Sequence, residues 1–327
     1  MNHWNEAQII QMIARHFESR CDVVPLGIGD DCACICEDQR LITTDASVEG
    51  VHFDLTWMSL ADAAYRCLAS NLSDVAAMGA YAGPFTLALG LPPTLEFADI
   101  EAAIVALRQC IDDHGLDKCW LIGGDVVRSS CVFFSITVLG GIPDWPFVTR
   151  GGAHPDDLIY ITGNAGYAAA GLEVCRRQMD KRREFTAFLN AFRRPQALTQ
   201  FGPQVAKHRL ATAMMDLSDG LFCDLPRLLE QSHLGAVVQI DQMHPSPELE
   251  KIAALLGMNP IDWMLCGGED FGLLITIPPQ KQNDFETLAK DWQLPYQNIG
   301  VCTKQPDIQW KDGNQIIQIR DHSFSHF

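Results

Sequence analysis

Residues 59–91 read SLADAAYRCLASNLSDVAAMGAYAGPFTLALGL, and they hold a helix pattern followed by a strand pattern. Ser59 suits a helix N-cap, alanine-rich helix formers follow, and Gly79 suits a helix end. Apolar residues share one face of this predicted helix: Leu68, Leu72 and Val75. The spacing places Asp74 inside the helix. Residues 85–91, FTLALGL, are typical of a strand.

The alternation of helix and strand continues on both sides of this stretch. The other elements predicted in the first half are an amphipathic helix near 5–17, a strand at 41–45, a helix at 96–114, a strand at 119–125 running into a glycine turn, and a strand at 131–141. The second half repeats the alternation, with strands predicted at 157–163, 236–240 and 271–277. This order predicts an α/β fold built of α+β layers.

The segment IPDWPFVTRGG at 142–152 interrupts all periodicity with prolines and glycines. A chain of 327 residues suits two domains better than one core. We therefore predict an N-terminal α/β domain at 1–143 and a C-terminal α/β domain at 147–327.

Composition limits the class of partner. The formal charge of −17 argues against binding to nucleic acid or to an anionic membrane surface. The twelve cysteines are scattered without Cys-x-x-Cys spacing, which favours reduced thiols, and Cys32, Cys34 and Cys36 are expected to be small core residues. Without a leader-like start or an apolar run near the length of a membrane span, the expected compartment is the cytoplasm.

Acidic residues recur beside glycine, serine or threonine at predicted element ends. They are Asp30 and Asp31, Asp45, Asp74, Asp125, Asp216 and Asp219, and Glu269 and Asp270. Any single one could be a helix cap or turn residue. Several together would repel unless cations neutralised them, and hard oxygen ligands suit Mg²⁺ or Ca²⁺. Neither a P-loop nor a dinucleotide fingerprint is present, so we expect Mg²⁺ ions to hold a phosphorylated substrate.

An ordered set of motifs resembles the thiamine-monophosphate kinases, members of the aminoimidazole-ribonucleotide synthetase-like superfamily. The motifs are GIGDDCA, TTDASVEGVHF, NLSDVAAMGA, LIGGDVVRS, TRGGAHPDDLIYITG, DLSDGL, CGGEDFGLL and the terminal SFSHF. The resemblance implies phosphorylation of thiamine monophosphate by ATP with several Mg²⁺ ions. It also implies a two-domain fold, in which the N-terminal sheets of a homodimer pair into a barrel and the C-terminal domain completes the active site.

The resemblance also assigns roles residue by residue. Metal ligands are expected at Asp30, Thr43, Thr44, Asp45, Asp74, Asp125, Asp216 and Asp219; ATP contacts at His114, Gly124, Asp125, Arg150 and Ser218; and contacts to the thiamine moiety at His52, Glu269 and Phe324. No general base is needed, because a phosphate acceptor is largely dianionic at neutral pH. Asp45, Asp125 and Asp219 are expected to support the transfer.

The chain departs from the family pattern at three places. Val126 and Val127 replace two threonines after the GGD motif, His114 lies where a tyrosine near the adenine is common, and Ala46 and Ser47 replace bulkier residues. These changes keep open a kinase of the same fold with another phosphorylated acceptor. A non-catalytic nucleotide-binding relative is the alternative of a different class. Selenophosphate synthetase and the hydrogenase-maturation relative are disfavoured, because their characteristic cysteines are missing.

Overall fold

A capping box begins the first helix among the residues that the structure describes. In the computed structural model, which describes residues 26, 30–35, 40–141 and 144–320, α1 (Leu60–Ala77) has Ser59 at its N-cap. The Ser59 hydroxyl accepts a hydrogen bond from the Asp62 amide at 3.1 Å, and the Asp62 carboxylate accepts one from the Ser59 amide at 3.4 Å. These bonds satisfy amides that a helix start leaves without partners. The predicted helix is confirmed, with Asp74 in its last turn.

The N-terminal half contains a five-stranded mixed sheet. Its elements are β1 (Ala33–Ile35), β2 (Arg40–Val48), α1, β3 (Ala82–Leu91), α2 (Phe97–Asp113), β4 (Leu121–Arg128) and β5 (Phe133–Gly140). The strand order is β1-β2-β5-β3-β4, and only the β3 and β4 pair is parallel. Helix α1 packs on β2, β5 and α2. One face of the sheet is thereby covered.

The predicted glycine turn at the GGD motif is wrong. Gly123, Gly124 and Asp125 lie inside β4, paired with β3. A side chain at Gly124 would place its Cβ 1.8 Å from the Leu87 carbonyl oxygen. Gly124 therefore permits close strand packing at this point, and the two glycines do not end the strand.

The C-terminal half builds a seven-stranded sheet with helices around it. Its elements are β6 (Leu158–Thr162), α3 (Tyr167–Arg176), α4 (Thr186–Arg193), α5 (Phe201–Lys207), β7 (Ala213–Asp216), α6 (Leu221–Glu230), β8 (Gly235–Gln239), α7 (Pro247–Leu256), α8 (Pro260–Cys266), β9 (Leu273–Ile277), α9 (Gln282–Asp291), β10 (Tyr296–Thr303), β11 (Ile308–Asp312) and β12 (Gln315–Ile316). The order is β12-β11-β8-β10-β6-β9-β7, and only β8 and β11 run parallel. All five residues of β9 are buried, as expected for a strand covered on both faces.

Helix α1 joins the two halves. Besides the N-terminal sheet it contacts β7, α4 and α5, and one apolar core runs through both halves. The α/β class and the two α/β halves are confirmed. The boundary at 143–147 stays a prediction, and the helix near 5–17 lies outside the described residues. Among these residues neither sheet closes on itself as a barrel.

Other predictions concern cysteines and membranes. Ten cysteines lie among the described residues, and all are free thiols. Cys32 and Cys34 are buried as expected, whereas Cys36 lies outside the described residues. In the described part of the chain, every helix is too short or too polar to span a bilayer.

Candidate metal and nucleotide site

Strand β2 and helix α1 bring the first acidic residues together. Side chains alternate along a strand, so Thr43 and Asp45 share the face of β2 that α1 covers. The Thr43 hydroxyl donates to Asp74 Oδ2 at 2.6 Å, and the Asp45 amide donates to Asn71 Oδ1 at 3.2 Å. Helix α1 therefore contributes Asp74 as well as the side chain that holds Asp45.

Three carboxylates meet where the two halves join. Asp31 comes just before β1, Asp74 lies in α1, and Asp216 ends β7. One oxygen of each lies within 4.8 Å of the others. Asp31 and Asp216 are buried, and Asp74 is partly buried. We call these three residues the carboxylate cluster.

Burial raises the pKa of the three cluster acids and of two acids near them, Asp30 and Asp45. It is the largest cause for Asp30, whose pKa rises to about 6, and the neighbouring Asp31 charge is the next cause. Burial also raises the pKa of Asp31 and Asp45, and it raises those of Asp74 and Asp216 well above their ordinary values, with like charges adding to the rise in the last two. A bound cation would relieve both causes.

Arg150 is the counterion of the cluster. Its Nη2 donates to Asp31 Oδ1 at 2.5 Å, and its amide donates to Asp30 Oδ2 at 3.1 Å. Asp31 Oδ2 and Arg150 Nε are buried and have no hydrogen-bond partner within the described part of the chain. One arginine therefore leaves the cluster incompletely satisfied, as expected of a site that takes a further ligand.

The loop after β7 is held by a residue that the sequence analysis missed. Asp224, in the first turn of α6, accepts from the amides of Ser218 and Asp219 at 3.1 Å each. Arg227 pairs with both Asp219 and Asp224, and burial raises the pKa of Asp224 to about 7. The available signal was an acid in the first helical turn after the DLSDG motif, where it can accept from loop amides.

The loop carrying Glu269 packs directly against the DLSDG loop. The Glu269 amide donates to the Ser218 carbonyl at 2.7 Å, and a Cβ on Gly268 would lie 2.4 Å from that same carbonyl oxygen. Glu269 itself pairs with Arg66 of α1. Asp270 points elsewhere and accepts from the amides of Gly166 and Ala168, at 2.6 and 2.9 Å, at the start of α3.

Two predicted metal ligands lie on the other face of the N-terminal sheet. The Thr44 hydroxyl donates to the Ile136 carbonyl at 3.1 Å and accepts from Thr137 at 3.0 Å. The register of β2, β5, β3 and β4 puts Asp125 on the same face as Thr44, and Asp125 is exposed there. Within one chain neither side chain joins the carboxylate cluster, and their metal binding stays a prediction.

Further predicted binding residues are placed as follows. His114 is buried; its Nδ1 donates to the Cys110 carbonyl at 2.7 Å and its Nε2 accepts from the Ala197 amide at 3.0 Å, so it ties α2 to the segment after α4. Burial lowers its pKa. Nδ1 of His52 accepts from the Val48 amide at 3.1 Å. Phe324 lies outside the described residues. Roles for these three in binding stay predictions.

The geometry defines a two-domain α/β protein with a buried oxygen-ligand site suited to hard divalent cations. Two family models match the chain: the AIR synthase related protein N-terminal domain at 29–142 and the AIR synthase related protein C-terminal domain at 154–312. The thiamine-monophosphate kinase of Salmonella typhimurium is 37% identical over 301 residues, covering 88% of each chain.

Solved structures of thiamine-monophosphate kinases are also similar to this chain. AaThiL complexed with AMPPCP and TMP has a TM-score of 0.86 at 27% identity, covering 100% of this chain and 98% of that one. The enzyme of Stenotrophomonas maltophilia K279a has a TM-score of 0.76 at 30% identity, covering 95% and 97%. The chain belongs to the AIR synthase related protein family and, within it, to the thiamine-monophosphate kinases, which confirms the resemblance of its motifs.

Proposed function

We propose that this chain transfers the γ-phosphoryl group of ATP to thiamine monophosphate, giving thiamine diphosphate and ADP. The observation that carries the proposal is the carboxylate cluster, whose three acids come from distant parts of the chain. The AaThiL structure, which matches the whole chain, was solved with AMPPCP and TMP. A nucleotide and a phosphorylated acceptor are therefore the ligands we assign to this site.

The residues fit Mg²⁺. All the cluster donors are carboxylate oxygens, the ligand type that Mg²⁺ prefers, and Asp31 Oδ2 is buried without a hydrogen-bond partner among the described residues. Asp31, Asp74 and Asp216 would hold the ions, together with Asp30, Thr43, Asp45 and Asp219. When bound, Mg²⁺ cancels the negative charge of the phosphates and of the acids around them. Asp125 and Thr44 would serve a separate position, because they lie on the other face of the sheet.

The protein's own residues then have to align two polyanions. Arg150, held at the edge of the cluster by Asp30 and Asp31, carries the fork of donors that matches a phosphate. Ser218 and Asp219 are held in place through Asp224, which fixes the loop facing the nucleotide. The chain needs no general base, since the acceptor phosphate is already ionised. Catalysis then rests on in-line positioning and charge compensation.

We assign the organic part of the acceptor to the end of the site that Glu269 lines. Glu269 lies on the loop packed against Ser218, and its carboxylate can accept hydrogen bonds from the amino group of thiamine. His52, at the end of β2, and Phe324 are the further residues that we assign to this end. An aromatic face such as that of Phe324 attracts a cationic ring.

We further propose that the protein is a homodimer formed through the N-terminal sheet. Strand β4 ends the sheet among the described residues, and all of its side chains are exposed. Large apolar residues are among them: Trp120 next to the strand, and Leu121, Ile122 and Val126 within it. An exposed apolar edge strand is a template for pairing. A second copy is the partner we assign, and a barrel across the dimer would remove this edge.

Product analysis tests the proposed reaction. Purified protein is incubated with ATP, Mg²⁺ and thiamine monophosphate, and thiamine diphosphate and ADP are separated and quantified. We expect equal amounts of both products from the monophosphate and none from unphosphorylated thiamine. A folded protein that makes no diphosphate would contradict the proposal. A kinase acting on another phosphorylated acceptor would then be the hypothesis to test.

A further inference from the structure

One buried arginine near the acceptor end of the site has no part in the mechanism described so far. Arg66 lies in the middle of α1 and is 5% exposed. Its Nη1 donates to the Phe192 carbonyl at 3.0 Å, and its guanidinium lies over the Phe192 ring, 4.7 Å from the centroid. That carbonyl belongs to the last turn of α4, where a helix presents its negative end. Burial lowers the pKa of Arg66 to about 9, so it remains charged at neutral pH.

The charge of Arg66 is directed at Glu269. The two side chains form an ion pair, with Arg66 almost fully buried and the Glu269 side chain 39% exposed. Glu269 has a positive φ of 67°, and its neighbour Phe271 has one of 49°. Non-glycine residues adopt this conformation only where the surroundings hold them, and such residues concentrate at functional sites. The surroundings here are the Ser218 carbonyl, which accepts from the Glu269 amide at 2.7 Å, and Arg66.

We propose that Arg66 is a positioning residue that fixes the Glu269 carboxylate for the organic part of the acceptor, an inference that rests on the proposed function. A carboxylate whose charge is matched by a buried guanidinium offers little net charge to a ligand. It remains a directional hydrogen-bond acceptor through its exposed oxygen. The ligand group it suits is therefore an N–H donor of a heterocyclic amine. The bare positive charge of a ring would gain less from this pair.

Arg194, the residue after α4, provides a control because its side chain contacts the same helix, α1. Its Nε donates to Asp62 of α1 at 2.6 Å, and its guanidinium lies over the Tyr65 ring, 5.4 Å from the centroid. Like Arg66, it combines an ion pair with ring stacking and ties α1 to the segment around α4. It does not pair with Glu269. The Arg194 side chain is 33% exposed and that of Arg66 is 6% exposed, so the losses of stability should differ. A change in the acceptor KM that comes only from loosening α1 should nevertheless appear in both variants.

The experiment compares Arg66→Met, Arg66→Lys and Arg194→Met with the unchanged protein. Steady-state kinetics give separate KM values for thiamine monophosphate and ATP, and calorimetry gives the Kd of thiamine monophosphate without ATP. We expect Arg66→Met to raise the KM and Kd of the acceptor about 10- to 100-fold, because a misplaced group has effects of this size. The KM of ATP should change less than about threefold. Arg66→Lys should recover part of the loss, since lysine keeps the charge without the planar fork.

The results distinguish a positioning role of Arg66 from a purely structural one. Equal acceptor KM values in Arg66→Met and Arg194→Met, or a fall in kcat alone, would overturn the positioning role. Where Arg66→Met fails to fold in thermal melts, Arg66→Lys carries the test, and an unchanged acceptor KM in it would likewise overturn the role. If the unchanged protein binds thiamine monophosphate but forms no diphosphate, the proposed function fails. Weaker acceptor binding in the Arg66 variants would still support the positioning role in that case.

Discussion

Two aspartate sites in this molecule are both largely withdrawn from water, but they differ in how many hydrogen-bond donors face their carboxylates. Asp270 accepts hydrogen bonds from the amides of Gly166 and Ala168, at the positive end of helix α3. The carboxylate cluster has one arginine and one threonine hydroxyl among three acids, and one oxygen of Asp31 has no partner among the described residues. Burial raises the pKa of Asp270, to about 7, and those of the cluster acids as well.

The difference shows what marks a binding site. Raised pKa values alone do not separate the two, because desolvation is the largest cause in both. What separates the two sites is the number of hydrogen-bond donors. Backbone amides donate to both oxygens of Asp270, whereas the cluster has too few donors for its carboxylate oxygens, and a bound cation would take their place. We therefore expect substitutions to affect stability at Asp270 and turnover at the cluster.

The largest effect is expected at the cluster. Asp74→Asn keeps the shape of the side chain and an acceptor for the Thr43 hydroxyl, but it removes a charge needed for metal binding. Turnover should fall by on the order of 10³-fold, while the melting temperature without Mg²⁺ stays the same or rises, because like-charge repulsion is reduced. Initial rates and thermal melts measure both. Asp62→Asn, on the same helix but outside the cluster, is the control, and equal rate losses in both variants would contradict the cluster's role.

The second-largest effect, a loss of stability, is expected at Asp270, which caps the start of α3. Asp270→Ala should lower the free energy of unfolding by about 2–3 kcal/mol, since it leaves buried amides at the start of α3 without acceptors. Urea denaturation measures the loss. The control is Asp284→Ala, whose side chain is 61% exposed and pairs with Lys281; its effect should stay within about 0.5 kcal/mol. A cap variant as stable as this control would show that the cap contributes nothing.

Local features of the sequence predicted many of the elements and acidic residues that form these two sites. The capping pattern at Ser59 and the helical spacing place Asp74 inside α1, and the acid-rich motifs identify Asp216 and Asp45 as candidates. Alternation along β2 separates Thr43 from Thr44, but the sequence does not say which face α1 covers. The choice between Asp30 and Asp31 depends on how the segment before β1 meets β7. Such long-range contacts have no local signal.

Other residues escaped prediction because tertiary packing overrides their usual behaviour. Arg66 is a charged residue in an otherwise apolar helix segment, and only the position of α4 explains its burial. The glycines at 123–124 usually indicate a turn, yet here the closeness of the Leu87 carbonyl explains Gly124. Asp270 belongs to the same acidic pattern as the metal candidates, and only its contacts with α3 reveal a cap.

A third effect concerns pH and cations. The folded pKa values of Asp30, Asp224 and Asp270 are about 6, 7 and 7, against an ordinary value of 3.8. The folded protein therefore holds protons that the unfolded chain has already released. Its free energy of unfolding should fall as the pH rises from about 4 to 7, the interval between the unfolded and folded values.

Thermal melts at several pH values, with and without Mg²⁺, check this expectation. Mg²⁺ binds ionised carboxylates, so it should raise the melting temperature more above pH 7 than near pH 5. In Asp74→Asn the rise should be reduced, whereas in Asp270→Ala it should persist. A melting temperature that increases from pH 5 to pH 7 without Mg²⁺ would contradict the assignment of protonated acids to the folded state.

The smallest effect is expected for substitutions on β4, where the one acid, Asp125, is exposed. Val127 shares a strand face with Asp125, and Val126 points to the other face. Both valines are exposed in the single chain, at 42% and 68%, so threonine at either position should change the free energy of unfolding of the monomer by less than about 0.5 kcal/mol. If nucleotide binds on the Asp125 face, Val127→Thr should lower the KM of ATP by up to about threefold by adding a hydroxyl contact. Val126→Thr is the matched control and should leave that KM unchanged; equal shifts in both variants would mean that Asp125 does not mark the nucleotide face.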